Sequence, residues 1–388
     1  MVHFKTKNLL IIFLFCAFNL SAAPTAESIA KEITTITNAK ALKRVPPKYP
    51  VEYAKQGAEG WVIVSYVVEP DGNTSNVLIE RSSGRKRFEK EALRAIKDWK
   101  YNPALENGEP VQQCRNNVRL DFRMKKERAG VSRKFLSLYK KFVSALNEKD
   151  AERIEKLAPQ MKSYKIFVAN ESFFKFTSMA DYYEYKGDIE KQYSNLGLAV
   201  HSGVDAKFYR KLSDKTSKGD SEPQEAWSTK ERNKAQQIRT VLHRKLMIEL
   251  DKGSVSHALN TVNKLLAVSP TKEIGSIYQR QKESLDNFIA SEHVLSTKAT
   301  VNNNGIWQHQ LLRSDFSFTE IQGKLDSVDV RCQNKRHVFS INEQTQWKIP
   351  ENWKTCHLYV KGKEGTEFSL LELPRSLSND TKVAAHKN

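Results

Sequence analysis

The chain has nine histidines and four cysteines among 388 residues. The histidines are scattered, with no H-E-x-x-H and no pair at metal-ligand spacing. G-x-S-x-G, a phosphate loop and C-x-x-C are absent as well. No catalytic, cofactor-binding or metal-ligating set is therefore expected, and a hydrolase assembled from residues distant in sequence has no positive support. The cysteines are more informative. Cys16 lies in an N-terminal apolar run, preceded by Phe15, which is far too large for lipoprotein processing. Of the rest, Cys332 and Cys356 are the natural disulfide pair in an oxidising compartment. Closing that loop is worth roughly 3 kcal/mol in the chain-entropy model. Cys114 is left as an unpaired, buried thiol. A third set of polar groups stands at alternate positions: Arg115, Asn117, Arg119, Asp121 and Arg123.

Those five belong to the clearest strand in the chain, Cys114 to Met124. Cys114, Val118, Leu120, Phe122 and Met124 take the other parity, and only Asn116 interrupts the period of two. One face should pack on a helix and the other should be wet. The elements before it complete a small α/β module over 41–126. Arg44 to Pro50 is held out of helix by its prolines. Val51 to Gln56 can form a short helix that Gly57 ends. Trp61 to Val68 reads as a strand, Glu69 to Asn73 as a turn, and Asn76 to Glu80 as the returning strand of a hairpin. Arg85 to Lys100 has helical periodicity, with Phe88, Ala92, Ala95, Ile96 and Trp99 on one face to cover that sheet.

Within this module, Pro47-Lys48-Tyr49-Pro50, then Gly57-Ala58-Glu59-Gly60-Trp61-Val62, resembles the opening of the C-terminal domain of the energy transducer TonB. Asp71-Gly72, Ser82-Ser83-Gly84, Trp99-Lys100-Tyr101-Asn102-Pro103-Ala104 and Asn107 to Val111 follow in that family's order. Any one of these motifs is weak, whereas six in order are specific. They cover under a quarter of the chain. The resemblance implies a three-stranded antiparallel sheet packed on helices. It also implies a role in energised transport, with an ExbB–ExbD motor and an outer-membrane TonB-dependent receptor as partners. Such domains capture a short receptor peptide as an added strand. By resemblance the last strand is the capturing edge, and Tyr49, Pro50, Arg115, Asn117, Arg119, Asp121 and Arg123 are the candidate contacts. Three departures weigh on the coupling role: the N-terminal apolar run has no histidine, a Pro-rich spacer is missing, and the module precedes most of the chain. The other reading is a periplasmic scaffold or adaptor that binds another periplasmic protein without transmitting force.

The flanking sequence is consistent with export. Lys5 and Lys7, an apolar run from Leu9 to Phe18 and a small-residue exit at Ala22-Ala23 form a signal peptide, 1–23, which is either cleaved or retained as a short anchor. The expected location is the periplasm. Residues 24–40 read as a linker. The formal charge of +18 would suggest nucleic acid, but export removes that partner and no aromatic-interleaved basic motif is present. A basic surface facing anionic lipid or acidic polymers accounts for the charge.

The overall expectation is an α+β chain of three domains. Residues 127–297 have a helical pattern, with a loop at Ser213 to Thr229. The stretches Ala180 to Ala199 and Leu246 to Pro270 loosely resemble tetratricopeptide hairpins, and an irregular bundle fits them nearly as well. Residues 298–373 read as a small β domain stapled by the disulfide, with Trp307, Trp347 and Trp353 in its core and a hairpin at Gly362 to Thr366. Residues 374–388 are a polar, disordered tail.

Overall fold

The computed structural model describes residues 36–124, 130–166, 169–204, 206–216, 227–341, 343, 345–374 and 376. The expected signal peptide, 1–23, and nearly all of the tail lie outside the described residues. Two short strands open the fold, β1 (Ile36–Thr37) and β2 (Lys40–Lys43). The last residues of the expected linker therefore belong to the folded module, because β-branched Ile36 and Thr37 find a pairing partner downstream. Helix α1 (Val51–Gln56) ends on Gly57 at φ 62, as its position after the last helical residue suggests. Strands β3 (Gly60–Val68) and β4 (Thr74–Ser82) form the hairpin. Helix α2 (Lys86–Lys97) buries Phe88, Ala92, Ala95 and Ile96.

This helix is shorter than its periodicity suggests. It stops before Trp99, whose indole still enters the core against Tyr66 and donates to the Val45 carbonyl at 2.8 Å. Strands β5 (Lys100–Asn102), β6 (Ala104–Glu106) and β7 (Glu109–Val111) then build two small accessory sheets, β2-β5 and β1-β6-β7. Strand β8 (Gln113–Phe122) completes an antiparallel sheet of order β4-β3-β8. The architecture of this module is the one expected, with β3 central and β8 at one edge.

The helical region comprises α3 (Arg133–Glu148), α4 (Ala151–Ser163), α5 (Ala169–Tyr185), α6 (Ile189–Gly203), α7 (Ala206–Thr216), α8 (Thr229–Asp251), α9 (Val255–Ala267) and α10 (Lys272–Ala290). Ser213 to Thr216, expected in a loop, continue α7. Three helix pairs share one turn: Lys149, Gly187 and Gly253 take φ of 54, 69 and 63. In each, the next residue donates back five positions, Asp150 to Ala145, Asp188 to Tyr183 and Ser254 to Glu249. This is the geometry that satisfies the last carbonyls of a helix. The turns do not recur at one sequence period. The aromatic residues between Tyr164 and Tyr193 mostly serve packing, as Phe173 and Phe174 do against the main helical core.

The C-terminal region is β throughout: β9 (Leu295–Thr300), β10 (Ile306–Gln310), β11 (Asp315–Gln322), β12 (Leu325–Arg331), β13 (Arg336–Ser340), β14 (Gln346–Lys348), β15 (His357–Gly362) and β16 (Glu367–Leu373). They form two four-stranded sheets, β10-β15-β12-β13 and β14-β11-β16-β9. The turn at Gly365 (φ 80) is therefore not a hairpin, since β15 and β16 lie in different sheets and the chain crosses between layers there. Trp347 is buried in the shared core, with Trp307 and Trp353 packed against it. Cys332 and Cys356 are joined, with Cα atoms 4.0 Å apart.

Candidate functional site

Strand β8 is built from both of its faces. Val118, Leu120 and Phe122 pair across from Val64, Val62 and Gly60 on the side covered by α2 and the aromatic cluster. Phe122 stacks on Phe88, with Tyr49 edge-on to both rings. The Tyr49 hydroxyl donates to the Ala58 carbonyl, and burial raises its ionisation above the usual tyrosine range. Pro50 opens α1 in extended geometry, its carbonyl accepting from Ala54 at 2.9 Å. Tyr49 and Pro50 thus hold the module together beside β8. Val118 and Leu120 stay only half-buried because β8 lies beyond the cover of α2, which sits over β3 and β4.

The alternation does not run the whole length of β8. The pairing with β3 shifts between Tyr66 and Val68, and the bulge falls next to Asn116, the residue that breaks the period of two. The Asn116 amide donates to the Gln113 carbonyl at 2.6 Å. Cys114 is buried as expected, but not in the helix-side core. Its backbone N–H donates to the Gln333 carbonyl at 3.0 Å, and its thiol sits among Arg331, Arg336 and Asp329. Burial pushes that thiol up to about 12.

The opposite face of the sheet was expected to be wet, and it is not. Two domains cover it. Arg119 stacks on Trp61 at 5.1 Å, pairs with Asp121 at 2.9 Å and donates to the His201 carbonyl at the C-terminus of α6. Its side chain is 16% exposed. The Trp61 indole donates to Ser202 Oγ at 3.3 Å. Further along, Arg331 of β12 is fully buried and donates to Ser65 Oγ and the Asn76 carbonyl at 3.2 and 3.0 Å. Tyr359 of β15 donates to Glu80 at 2.8 Å. Polar residues at alternate positions satisfy a solvated face and a hydrogen-bonded interface equally well, so the pattern alone does not separate the two.

Of the seven candidate contacts, Arg115, Asn117, Asp121 and Arg123 are exposed, although Asp121 already serves Arg119 and, at 3.8 Å, Arg123. Arg115 keeps solvent contact but stands close to Tyr359 and His357, where burial lowers its basicity. Arg119 is engaged within the chain. Sequence reasoning passed over Arg331, Ser65, Tyr359 and Glu80. The one local hint was Asp329-x-Arg331, two charges alternating with apolar Val328 and Val330.

The outer edge of β8 remains to be paired. The one backbone hydrogen bond reaching it from another element, among the described residues, is that of Cys114 to Gln333. From Asn117 to Leu120 the ladder to β3 is regular, and no strand among the described residues pairs with the far side. No group of three or more His, Cys, Asp or Glu that could hold a metal occurs among the described residues. No described helix is long and apolar enough to cross a membrane.

The module is a three-stranded antiparallel sheet with a helix on one face and β8 as an edge strand among the described residues, and an edge of that kind is where peptide-recognition modules in general add a strand. Residues 45–124 match the family described as Gram-negative bacterial TonB protein C-terminal. Similar proteins include Protein TonB of Xanthomonas campestris pv. campestris (strain B100), 38% identical over 64 residues, which are 16% of this chain and 29% of that one. Protein tonB2 of Pseudomonas aeruginosa is 31% identical over 87 residues, 22% of this chain and 32% of that one. The solution NMR structure of the Pseudomonas aeruginosa TonB CTD is 23% identical, covering 24% of this chain and 92% of that one, with a TM-score of 0.21. The chain thus spans about a third of the length of the curated relatives it matches. Residues 45–124 are a TonB C-terminal domain segment.

Proposed function

We propose that this is a periplasmic TonB-family protein that binds a short peptide of an outer-membrane transporter by strand addition to β8. It thereby couples or supports energised uptake. The observation that carries the reading is the open outer edge of β8 from Asn117 to Leu120, beside half-buried Val118 and Leu120. An added strand gains main-chain hydrogen bonds along that edge and covers both apolar side chains. Asn117 and Arg123 are the side chains free to choose among peptides, with Arg115 at one end and Asp121 sharing its charge with Arg119. Tyr49 and Pro50 shape the neighbouring wall. An ExbB–ExbD motor is the partner this reading requires on the inner-membrane side, reached through the N-terminal region.

A second reading has its own support. The other two domains clamp the outer face of the sheet through Arg119 and Arg331, which suits a rigid periplasmic adaptor whose three modules hold partners without transmitting force. N-terminal sequencing of protein isolated from periplasm, together with co-purification of ExbB–ExbD, separates the two.

Strand addition itself is tested with two prolines. Asn117 and Leu120 have opposite parity on a regular stretch of β8, so one N–H points to β3 and the other to the open edge. The proline that deletes the outward donor should leave the sheet intact and weaken receptor-peptide binding about tenfold, the worth of one well-made hydrogen bond. Unchanged peptide binding by whichever of Asn117→Pro and Leu120→Pro keeps the native circular dichroism would refute strand addition.

A further inference from the structure

The covered face of the TonB-like sheet carries a row across its three strands: Arg81 and Arg119 both pair with Ile63, one from each side. Arg119 finds partners on α6. Arg81 reaches the same helix one turn earlier, where a Cβ at Gly197 would stand 2.9 Å from its Nη1. Glycine inside a helix costs about 1 kcal/mol relative to alanine. Here it lets the guanidinium lie against the helix backbone. Among the described residues Arg81 has neither a hydrogen bond nor an ion pair, and the same holds for Lys264 of α9.

The groups that share this junction are almost all basic. Lys245 of α8 is buried and bonded to Glu249, with Tyr193 Oη and Thr261 Oγ1 each 3.3 Å from its Nζ. Tyr193 also donates to Glu249 at 2.8 Å. Arg81 and Lys264 act electrostatically on Lys245 and on the rings of His201 and His257, both of which burial keeps neutral. Burial, reinforced by Lys245 and Arg81, lowers the Lys264 ammonium to about 8. Glu249 is the carboxylate bonded within the cluster. Glu190, the other acid near Tyr193, is exposed and held by Lys252. Glu80, bonded to Tyr359, is a second acid on which Arg81 acts, so three cations meet two carboxylates. Uncompensated charge taken out of water is costly, and a structure that gathers two such cations in one place needs an anion to neutralise them.

Access distinguishes this from a sealed network. Lys245, Glu249 and Thr261 are buried, whereas Arg81, Tyr193, His201, His257 and Lys264 keep part of their surface open while being enclosed by three helices and the sheet. Groups that are both surrounded and partly accessible are within reach of a small ion from solvent. A planar guanidinium fork beside an ammonium is the arrangement that holds phosphate and carboxylate oxygens. We infer that the junction between the TonB-like sheet and helices α6, α8 and α9 is a binding site for a small oxyanion, phosphate or carboxylate, held between Arg81 and Lys264. The inference does not depend on peptide capture by β8, which lies on another edge of the same sheet.

The test uses the full chain titrated with inorganic phosphate and, separately, with citrate, in chloride-matched buffer, read by calorimetry and by the shift in melting temperature. Saturable binding of either probe is expected, and which one binds tells a phosphate site from a carboxylate site. Arg81→Gln and Lys264→Gln should each weaken it at least tenfold, about 1.4 kcal/mol. Gly197→Val should do the same by displacing the guanidinium. Should Arg81→Gln lose its fold by circular dichroism, Lys264→Gln, which removes a charge with no partner to orphan, decides alone. Absence of saturable binding of both probes, or wild-type affinity in folded Lys264→Gln, overturns the site.

Discussion

Arg331 donates to Ser65 Oγ at 3.2 Å across a separation of 266 residues. The contact joins the C-terminal β domain to the outer face of the TonB-like sheet. The guanidinium is 0% exposed, and its remaining donors go to Asp329 at 2.8 Å and to the Asn76 carbonyl, with the Tyr359 ring 4.6 Å away. A charge buried this deeply survives because each of the three guanidinium nitrogens has an acceptor and Asp329 supplies the opposite charge. Asp329, in turn, is held below the usual carboxylate range by Arg331 and Arg336, against the opposing effect of burial. Arg331→Met should therefore destabilise the chain by about 2–4 kcal/mol in urea unfolding, since it removes half of the Asp329 contacts and the bonds to Asn76 and Ser65, leaving Ser65 with Tyr359 alone. A change below about 0.5 kcal/mol would show that the two domains do not rely on this junction.

Arg119 separates the two roles available to the arginines of β8. Its Nη1 donates to the carbonyl of His201, at the end of α6 where helix carbonyls lack internal partners. Arg119→Ala should cost about 1–2 kcal/mol and raise hydrogen exchange across 189–204. It should leave receptor-peptide affinity within a factor of two. A large loss of affinity with unchanged exchange would place Arg119 in the peptide site instead.

The disulfide spans a sequence separation of 24 and ties the start of β15 to the residue after β12. Replacing Cys332 and Cys356 together by serine should lower the stability of the β domain by about 3 kcal/mol. The same loss should appear in the wild-type chain under reductant, and adding reductant to the double variant should change nothing. Because Cys332 borders Gln333, whose carbonyl pairs with Cys114 on β8, the loss should be accompanied by faster exchange at the Cys114 amide.

The local elements of the TonB-like module were legible because each rests on nearby residues. Gly57 stops α1, Asp71-Gly72 turns the hairpin, and Phe88, Ala92 and Ile96 share a helix face. What lay beyond reach was set by partners far away in the chain. Arg119 looks like a solvent-facing residue until α6 is folded onto it. Asn116 was visible as a flaw in the alternation, but only the pairing with β3 turns that flaw into a bulge that re-aims Cys114. Gly365 marked a turn correctly, and whether a turn closes a hairpin or changes sheets depends on which strands bind its flanks. The basic junction was hidden for the same reason: Arg81, Gly197, Lys245 and Lys264 come from four elements, and Gly197 inside a helical pattern was its one local sign.

His357 makes the stability of this chain dependent on mild acid. Its Nε2 is buried with no hydrogen-bond partner, and burial, reinforced by Arg115, pushes its pKa down to about 4. In the unfolded chain the imidazole takes up its proton near pH 6.5. Between those two values the unfolded state binds more protons than the folded one, so stability is complete above about pH 6.5 and falls as the pH drops toward 4. His201 and His257, also held neutral by burial, act in the same direction. His357 alone should account for about 2–3 kcal/mol across that window. Urea unfolding of wild type and His357→Gln at intervals from pH 7 to 4.5 should show a steep fall in the first and a shallower one in the second, with the remaining slope due to His201 and His257. Parallel curves for the two proteins would mean that His357 is free to protonate in the folded chain.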